Sequence, residues 1–198
     1  MSNPQPQLVV VAGPNGAGKS TLAERLVPQR FGMVHYVNAD VIARGLSAFR
    51  PESVAIEAGR VMLERLDALA SQRADFAFET TLSGRTYARW ISRLQSSGYL
   101  FHLLFVTLNR PELSIERVAK RVSLGGHDVP ADVIRRRFKL GILNLFELNM
   151  PLADTWSVYD NSTGGNPRLV AIGQRQTEPN VIELNRWQEL CRYRDDSK

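Results

Sequence analysis

Cysteine, histidine and long apolar runs are all scarce in this sequence of 198 residues. The single cysteine, Cys191, excludes an internal disulfide and a zinc site built from cysteines, and it fits a reducing compartment. The segment from Met1 to Gln7 is polar, and no later segment is apolar over the length of a membrane span. We therefore expect a cytoplasmic protein with no export signal and no membrane anchor.

The three histidines argue against a zinc site because they are scattered along the sequence. His35 and His102 fall in strand-like apolar runs, which favours a structural role. His127 lies in a glycine-containing loop, where an imidazole can contact phosphate or substrate, so we treat it as a candidate substrate-binding residue. The sequence also has no Gly-x-Ser-x-Gly segment of the kind that holds the nucleophile in many serine hydrolases.

Acidic residues are fewer than basic ones, and the formal net charge is +5 at pH 7. The arginines are spread along the chain rather than gathered in one basic tail, so the charge fits several classes of anionic ligand. Converging arginines are expected in any protein that binds a nucleoside triphosphate. The charge alone therefore neither indicates nor rules out a nucleic-acid partner.

A glycine-rich segment, GPNGAGKS at residues 13–20, follows an apolar run and precedes a helical pattern. This arrangement is typical of a phosphate-binding P-loop, in which backbone N–H groups and the helix N-terminus face the β-phosphate. Lys19 is expected to contact the β- and γ-phosphates, and Ser20 is expected to bind Mg²⁺. The residues predicted to bind the nucleotide are Gly13, Asn15, Gly16, Ala17, Gly18, Lys19, Ser20 and Thr21.

Strand-like apolar runs alternate with amphipathic helical patterns along the whole sequence, which predicts an α/β fold. We expect a parallel sheet of about five strands with helices on both faces, and one more edge strand at Arg168 to Ile172. The chain length favours a single domain over residues 1–198, with a core at about 7–175 and a C-terminal helix and tail at 176–198. The predicted parallel strands are Leu8–Ala12, Met33–Val37, Phe76–Phe78, Leu100–Leu108 and Trp156–Tyr159.

Two predicted helices, Pro111–Val122 and Ala131–Phe146, flank a short loop with two adjacent glycines at Ser123–Asp128. The loop suits a lid that closes over phosphates, although a plain helix-to-helix turn has the same sequence features.

The arginines of these helices are candidates for phosphate binding. Arg117 and Arg121 lie four residues apart and share a helix face, so both can contact one group of phosphates; otherwise they are solvated residues paired with acids such as Glu116. Of the three successive arginines at 135–137, at most two can face a site, and we retain Arg136 as a candidate.

Two carboxylates follow predicted strands, at the edge of a parallel sheet where ligands bind. Asp40 suits a general base that accepts the proton of a substrate hydroxyl, and its alternative role is to cap the following helix. Glu79 suits orientation of the water shell of Mg²⁺ or binding of the acceptor, and its alternative is a surface acid in a loop.

The segments Ala12–Thr21, Asn38–Asp40, Glu79–Gly84 and Gly125–Pro130 together resemble the zeta-toxin family of P-loop kinases. The likeness extends from about Leu8 to Gly173. It implies a nucleotide-kinase-like core with a helical, arginine-bearing lid, and ATP or GTP with Mg²⁺ as cofactors. The characterised toxins phosphorylate the 3′-hydroxyl of UDP-N-acetylglucosamine, so the resemblance implies a nucleotide-sugar as a candidate acceptor and a separate antitoxin as a candidate partner.

The resemblance also implies roles for individual residues. Lys19 and Ser20 match the phosphate and metal residues of the family, and Asp40 matches its catalytic base. Glu79 and Thr81 match the residues that contact the sugar-nucleotide in the family. Arg117 matches one lid arginine, and either Arg121 or Arg136 matches a second. Thr80 and Arg85 lie in or beside the same acid-Thr-Thr segment and are further candidates for substrate binding.

The leading hypothesis is therefore an ATP-dependent kinase that phosphorylates a hydroxyl of a small molecule. Three alternatives remain open at this point. A P-loop NTPase or switch would hydrolyse nucleotide without an acceptor, a polynucleotide kinase would phosphorylate nucleic-acid ends, and a binding module would perform no chemistry.

Overall fold

The computed structural model describes residues 5–196, and residues 1–4 and 197–198 lie outside this range. The described residues form one seven-stranded sheet in the order β2-β3-β1-β4-β5-β6-β7. The first five strands in this order are parallel, and β6 and β7 are antiparallel to their neighbours. The strands are β1 (Gln7–Ala12), β2 (His35–Val37), β3 (Phe76–Thr80), β4 (Leu100–Thr107), β5 (Thr155–Asp160), β6 (Arg168–Gln174) and β7 (Asn180–Val181).

Seven α-helices flank this sheet within the described part of the chain. A 3₁₀ turn at Pro51–Val54 precedes α3, and a π-helical turn at Leu145–Asn149 follows α6. No helix between residues 5 and 196 has the length and apolar character needed to cross a membrane. The helices are α1 (Lys19–Phe31), α2 (Ala39–Leu46), α3 (Ala55–Ser71), α4 (Thr86–Ser96), α5 (Pro111–Ser123), α6 (Ala131–Asn144) and α7 (Leu184–Asp195).

The fold confirms the predicted α/β class and its core of five parallel strands. Two elements differ from the sequence-based prediction. The strand that begins at Arg168 is antiparallel to β5 and is not the edge of the sheet, because the short β7 pairs with its outer side. Helix α2 was considered only as a helix that Asp40 could cap, and its range was not predicted, since it has only eight residues and leaves little room for a helical period to show.

The central strand β1 is buried on both faces, as expected for a parallel sheet covered by helices. Leu8, Val10 and Ala12 pack into the larger hydrophobic core, and Val9 and Val11 pack into a second core on the opposite face. Four phenylalanines of β3 and β4 are fully buried in the larger core, and they are Phe76, Phe78, Phe101 and Phe105. Burial on two faces therefore fixes the strand that leads into the glycine-rich loop.

Helices α5 and α6 are joined by a small hydrophobic core of their own. Val118 of α5 packs with Val129 and with Ile134 of α6, apart from the two cores that cover the sheet. The pair of helices and the loop between them thus form a unit with its own apolar contacts.

The parallel strands end at the same edge of the sheet, and this edge collects the candidate site. The glycine-rich loop follows β1, Asp40 follows β2, and Glu79 is the next-to-last residue of β3. Val11 of β1 is in register with Glu79 of β3, so this carboxylate lies beside the start of the loop. Strand order thus places residues that are distant in sequence at one crevice.

An ion pair fixes α7 to the end of β5. Arg186 contacts the Asp160 carboxylate, and its Nη2 donates to Leu108 O at 2.7 Å. The two side chains are only 11% and 2% exposed. Burial alone would raise the pKa of Asp160, but hydrogen bonds from Ser162 and the Arg186 charge outweigh it and hold that pKa below its usual value.

Replacing Arg186 with glutamine leaves the Asp160 carboxylate buried without its cation, so we expect the free energy of unfolding at pH 7 to fall by about 3–5 kcal/mol. The native pKa of Asp160 is depressed, so the pair stabilises the native state above the unfolded pKa and this stability is lost as the pH falls through the native pKa. The deficit of the variant should therefore be largest at pH 7 and shrink as the pH falls below about 4, the ordinary pKa of an aspartate, as measured by urea unfolding.

Arg110→Gln is the matched control, because Arg110 forms an exposed ion pair with Glu116 at 3.2 Å. We expect this variant to lose less than about 1 kcal/mol. Equal losses for the two variants, or a deficit of Arg186→Gln that does not depend on pH, would contradict the role given to the buried pair.

Candidate active site

At the first position of the glycine-rich loop after β1, the backbone has a conformation that only glycine adopts without strain. Gly13 has a φ of +142°, and a Cβ on this residue would lie 2.0 Å from Val106 O. Gly16 and Gly18 also have positive φ, at +72° and +87°. The glycines therefore allow the loop to turn tightly against β4 and run into α1.

Side chains from several elements hold the carbonyl groups of this loop. Because these carbonyl oxygens are engaged, the loop has a defined conformation. The contacts are Lys19 Nζ to Pro14 O at 3.0 Å, Ser114 Oγ to Asn15 O, Arg117 Nη1 to Gly16 O at 3.4 Å, and Asn161 Nδ2 to Ala17 O at 2.8 Å.

In this crevice, several side chains contact the Glu79 carboxylate. Its Oε2 accepts hydrogen bonds from Ser20 Oγ at 2.7 Å, from Tyr36 Oη at 2.6 Å and from Asn38 Nδ2 at 2.9 Å. Its Oε1 lies 3.5 Å from Lys19 Nζ. The carboxylate is 12% exposed, so it is not a surface acid in a loop.

Tyr36 and Asn38 are site residues that sequence reasoning missed. Burial, and then the charge of Glu79, raise the pKa of Tyr36, so its hydroxyl remains protonated and acts as the donor. Tyr36 lies in β2 and Asn38 directly follows that strand, and alternation along an extended chain places residues two positions apart on the same side. The spacing of Tyr36 and Asn38, just before the predicted acid Asp40, was the feature of the sequence that could have identified them as site residues.

The oxygens of Ser20 and Glu79 have the chemistry of a Mg²⁺ site. Both are hard oxygen ligands, and Mg²⁺ in nucleotide sites usually keeps several waters and is held by one or two protein groups together with phosphate oxygens. Among the described residues, no three His, Cys, Asp or Glu side chains come together as a metal site. The residues present therefore fit a cation that is bound mainly by a nucleotide, and not one enclosed by the protein.

Asp40 lies in the first turn of α2, and Asn38 is the residue that caps this helix. Asn38 Oδ1 accepts hydrogen bonds from the N–H groups of Asp40 at 2.8 Å and Val41 at 3.4 Å. The carboxylate of Asp40 is thus not needed as a cap. It is 56% exposed, and Arg121 Nη1 lies 4.0 Å from it.

The side chain of Asn38 connects the two carboxylate residues. Its amide N–H₂ donates to Glu79, and its amide oxygen accepts from the backbone of Asp40. Because Asn38 is buried, both contacts are protected from water. The position of Asp40 is therefore tied to that of Glu79 through one side chain.

The two arginines predicted on α5 occupy different places. Arg117 donates to the backbone of the glycine-rich loop and to Asn161 O at 2.7 Å, so it lies beside the phosphate loop. Arg121 Nη2 donates to His127 O at 2.7 Å and lies beside Asp40. The loop with two glycines wraps around Arg121, and a Cβ on Gly126 would lie 2.5 Å from its Cγ.

The three successive arginines of α6 also face different ways. Arg135 pairs with Glu112 at 3.5 Å, and Arg136, the retained candidate, is exposed. Arg137 is half-buried, and its pKa is lowered by burial and by Arg136 while the Asp40 carboxylate acts in the opposite direction. The charges of Arg137 and Asp40 therefore interact.

The remaining candidates in the acid-Thr-Thr segment mostly make local contacts. Thr80 Oγ1 accepts from Leu82 N at 3.2 Å, and Thr81 Oγ1 lies 2.9 Å from Ser83 Oγ. Arg85 is exposed at the start of α4, and Thr21 is exposed in the first turn of α1. None of these four side chains forms a hydrogen bond with the Glu79 carboxylate in the described structure.

A cavity of about 550 Å³ opens between α2 and the start of α3 on one side and α5 with its loop on the other. Asp40, Arg117, Arg121 and His127 lie on its wall, so the structure brings together the candidate base, both α5 arginines and the loop histidine. The other lining residues are Ala39, Ala43, Arg44, Ala48, Pro51, Ala55, Lys120, Leu124, Gly125 and Gly126.

The sequence matches a known family over most of its length. A family model described as zeta toxin matches residues 1–149. An uncharacterized protein of Haemophilus influenzae is 30% identical over 134 residues, which are 68% of this chain and 94% of that protein.

Two solved structures show the same fold at low sequence identity. The AvrRxo1-ORF1:-ORF2 complex with ATP has a TM-score of 0.75 at 19% identity and covers 94% of this chain, but this chain covers only 63% of that one. The PezAT toxin-antitoxin system of Streptococcus pneumoniae has a TM-score of 0.63 at 18% identity, with 100% and 89% of the two chains covered.

Removing the hydroxyl of Tyr36 tests whether Glu79 is held as described. We expect Tyr36→Phe to fold and to lose about 1.5–3 kcal/mol of unfolding free energy, the range for hydrogen bonds to charged groups. Tyr87→Phe is the matched control, because the Tyr87 hydroxyl contacts only Met62 Sδ, at 3.9 Å. Urea unfolding should show a much smaller loss for the control, and similar losses would count against the contact.

Proposed function

The chain belongs to the zeta-toxin family, and on that basis we propose that it is a P-loop kinase that transfers the γ-phosphate of ATP or GTP to a hydroxyl of a small molecule. The observation that carries the proposal is the position of Asp40. Its carboxylate lies on the wall of a ligand-sized cavity and is tied through Asn38 to the Glu79 cluster beside the phosphate loop.

The nucleotide half of the site is the glycine-rich loop with Lys19, Ser20 and Glu79. The loop presents a tight turn and the N-terminus of α1 to the phosphates, and both favour an anion. Lys19 is buried beside Glu79, where its ammonium group is placed to bind the β- and γ-phosphates. The solved relative that contains ATP supports the choice of nucleotide.

Ser20 and Glu79 would hold Mg²⁺ on the phosphate side of the site. The bound cation supplies positive charge that neutralises the β- and γ-phosphate oxygens. In the described structure the Ser20 hydroxyl donates to Glu79 at 2.7 Å, so the two oxygens that would hold the cation already lie together.

The acceptor half of the site is the cavity that Asp40 faces. A hydroxyl within hydrogen-bond reach of Asp40 gives up its proton to the carboxylate as its oxygen forms a bond to the γ-phosphorus. The bond between that phosphorus and the β,γ-bridging oxygen breaks, and the nucleoside diphosphate leaves. The half-exposed position of Asp40 suits this role, because the acceptor must reach it from solvent.

Three arginines are our candidates for balancing the charge of the transferring phosphoryl group. Arg117 lies at the loop, Arg121 lies beside Asp40, and the charge of Arg137 interacts with the same carboxylate. A guanidinium remains protonated and offers several N–H donors to phosphate oxygens. The stabilisation that they provide is greatest as charge spreads over the group in transit.

A nucleotide-sugar is our first candidate acceptor, and a separate antitoxin is our candidate protein partner. The family supports both, and the PezAT relative is described as a toxin-antitoxin system. Leu124 lines the cavity and is 80% exposed, and Phe49 and Ile56, which are 98% and 79% exposed, are next in sequence to the lining residues Ala48 and Ala55. Such side chains suit a surface that a second protein covers.

The test is an incubation of the protein with γ-labelled ATP, Mg²⁺ and a panel of UDP-sugars, nucleosides and 5′-hydroxyl RNA, followed by mass analysis. We expect Asp40→Asn to lower transfer roughly 100-fold or more while ATP affinity by calorimetry stays near the wild-type value. Lys19→Met should weaken ATP binding as well as transfer, because its ammonium group is proposed to contact the phosphates in the ground state.

Equal loss of ATP binding in the Asp40 variant would contradict the assignment of a base. Phosphate release that ignores every acceptor would replace the kinase by an NTPase, and label on the RNA end alone would replace the small-molecule acceptor by a polynucleotide.

A further inference from the structure

Asn161 is a buried polar residue that directly follows β5, at the same edge of the sheet as the glycine-rich loop. The residue is 8% exposed, and its Nδ2 donates to Ala17 O at 2.8 Å across 144 positions of sequence. It lies beyond residues 1–149, which the family model matches. None of the residues predicted from the sequence to bind the nucleotide lies in this part of the chain.

The backbone around Asn161 is itself held in place. Its N–H donates to Thr107 O of β4 at 3.0 Å, and its carbonyl oxygen accepts from Arg117 Nη2 at 2.7 Å. The next N–H along the chain, that of Ser162, donates to the Asp160 carboxylate at 2.6 Å. The side chain of Asn161 therefore extends from a fixed support toward the loop.

The contact between Asn161 and Ala17 O sets the orientation of one peptide unit of the loop. No peptide bond among the described residues is cis, so the C=O of Ala17 and the N–H of Gly18 point in opposite directions. Because the carbonyl is held toward Asn161, the Gly18 N–H is turned to the other side. Gly18 caps α1, and the N–H groups at a helix N-terminus have no partner within the helix and can bind an anion.

The amide of Asn161 also packs directly on Gly18. A Cβ on Gly18 would lie only 2.6 Å from Asn161 Nδ2, and the φ of Gly18 is +87°. The absence of a side chain at this position lets the amide reach the Ala17 carbonyl. The two residues are therefore complementary, and the contact between them is buried.

We infer that Asn161 is a positioning residue of the phosphate loop, which holds the peptide unit between Ala17 and Gly18 so that its N–H faces the phosphates of the nucleotide. The inference rests on the nucleotide half of the proposed function. Asn161 acts through the loop backbone and takes no direct part in the transfer. A loop whose N–H groups are already oriented loses less conformational freedom on binding, so its affinity for the ligand is higher.

The test is calorimetry with Mg²⁺ and a non-hydrolysable ATP analogue, without any acceptor. Asn161→Ala removes the amide and keeps the backbone carbonyl that accepts from Arg117. We expect this variant to bind the analogue about tenfold more weakly than the wild type, because the ligand must then order the loop.

Asn149→Ala is the matched control for the loss of a buried amide. Asn149 is 2% exposed, lies in the π-helical turn after α6, and donates from Nδ2 to Asn144 O at 2.8 Å. Like that of Asn161, its amide oxygen has no hydrogen-bond partner among the described residues. Both variants should lower Tm by about 2–10 °C, but only Asn161→Ala should change the affinity for the analogue. Equal affinities for the two variants would overturn the inference.

A measurement on the wild type keeps the test decisive if Asn161→Ala does not fold. In ¹⁵N-labelled protein, the side-chain amide resonance of Asn161 should shift when Mg²⁺ and the analogue are added, and that of Asn149 should not. An Asn161 amide resonance that does not respond to the bound analogue would overturn the inference.

These readouts separate the role of Asn161 from the reaction. A wild type that binds the analogue and phosphorylates no acceptor would remove the proposed function and leave the role of Asn161 standing. A wild type that binds no analogue would overturn both, whereas an unchanged affinity of Asn161→Ala would overturn the role of Asn161 alone.

Discussion

The cluster of contacts around the Glu79 carboxylate is the constraint on which the rest of the site depends. Its partners come from three places in the sequence: Lys19 and Ser20 at the start of α1, Tyr36 at the end of β2, and Asn38 at the cap of α2. Burying a carboxylate costs free energy unless opposite charge and hydrogen bonds compensate for the lost hydration. The contacts that stabilise buried Glu79 therefore also hold these partners together. The phosphate loop and helix α2 are therefore positioned by one carboxylate.

This arrangement divides the crevice into two halves with different electrostatics. On the side that we propose for the nucleotide, Glu79 balances the Lys19 ammonium group and would offer oxygen to a cation. On the acceptor side, Asp40 is the lone carboxylate among the residues that line the cavity, and basic side chains surround it. Asn38 contacts residues of both halves, so a change in the position of Glu79 is transmitted to the helix that bears Asp40. The small core between α5 and α6 holds the arginines of the second half on a unit of their own.

The parts of this structure that have strong local signals could be predicted from the sequence. The alternating apolar runs predicted the five parallel strands, and the segment at 13–20 predicted the loop because its glycines and lysine have a fixed spacing. Helix α2 was missed because it is short, and Tyr36 was missed because a tyrosine in a strand ordinarily packs in a core. Among three successive arginines, helical period alone does not say which one is half-buried, so the structure was needed to distinguish Arg137 from the exposed Arg136. The ion pair of Arg186 with Asp160 joins residues 26 positions apart, and no pattern in the sequence connects them.

The central claim is that Glu79 serves the nucleotide and Asp40 serves the acceptor. The most direct test is the partition of the γ-phosphate of ATP between an organic acceptor and water in the wild type, in Glu79→Gln and in Asp40→Asn. We expect Glu79→Gln to lower transfer and hydrolysis by the same factor, because both reactions need the same bound nucleotide. Asp40→Asn should lose transfer and keep the residual hydrolysis of the wild type. If Asp40→Asn lowers both reactions by one common factor, as Glu79→Gln does, the two carboxylates do not have separate roles and the account is wrong.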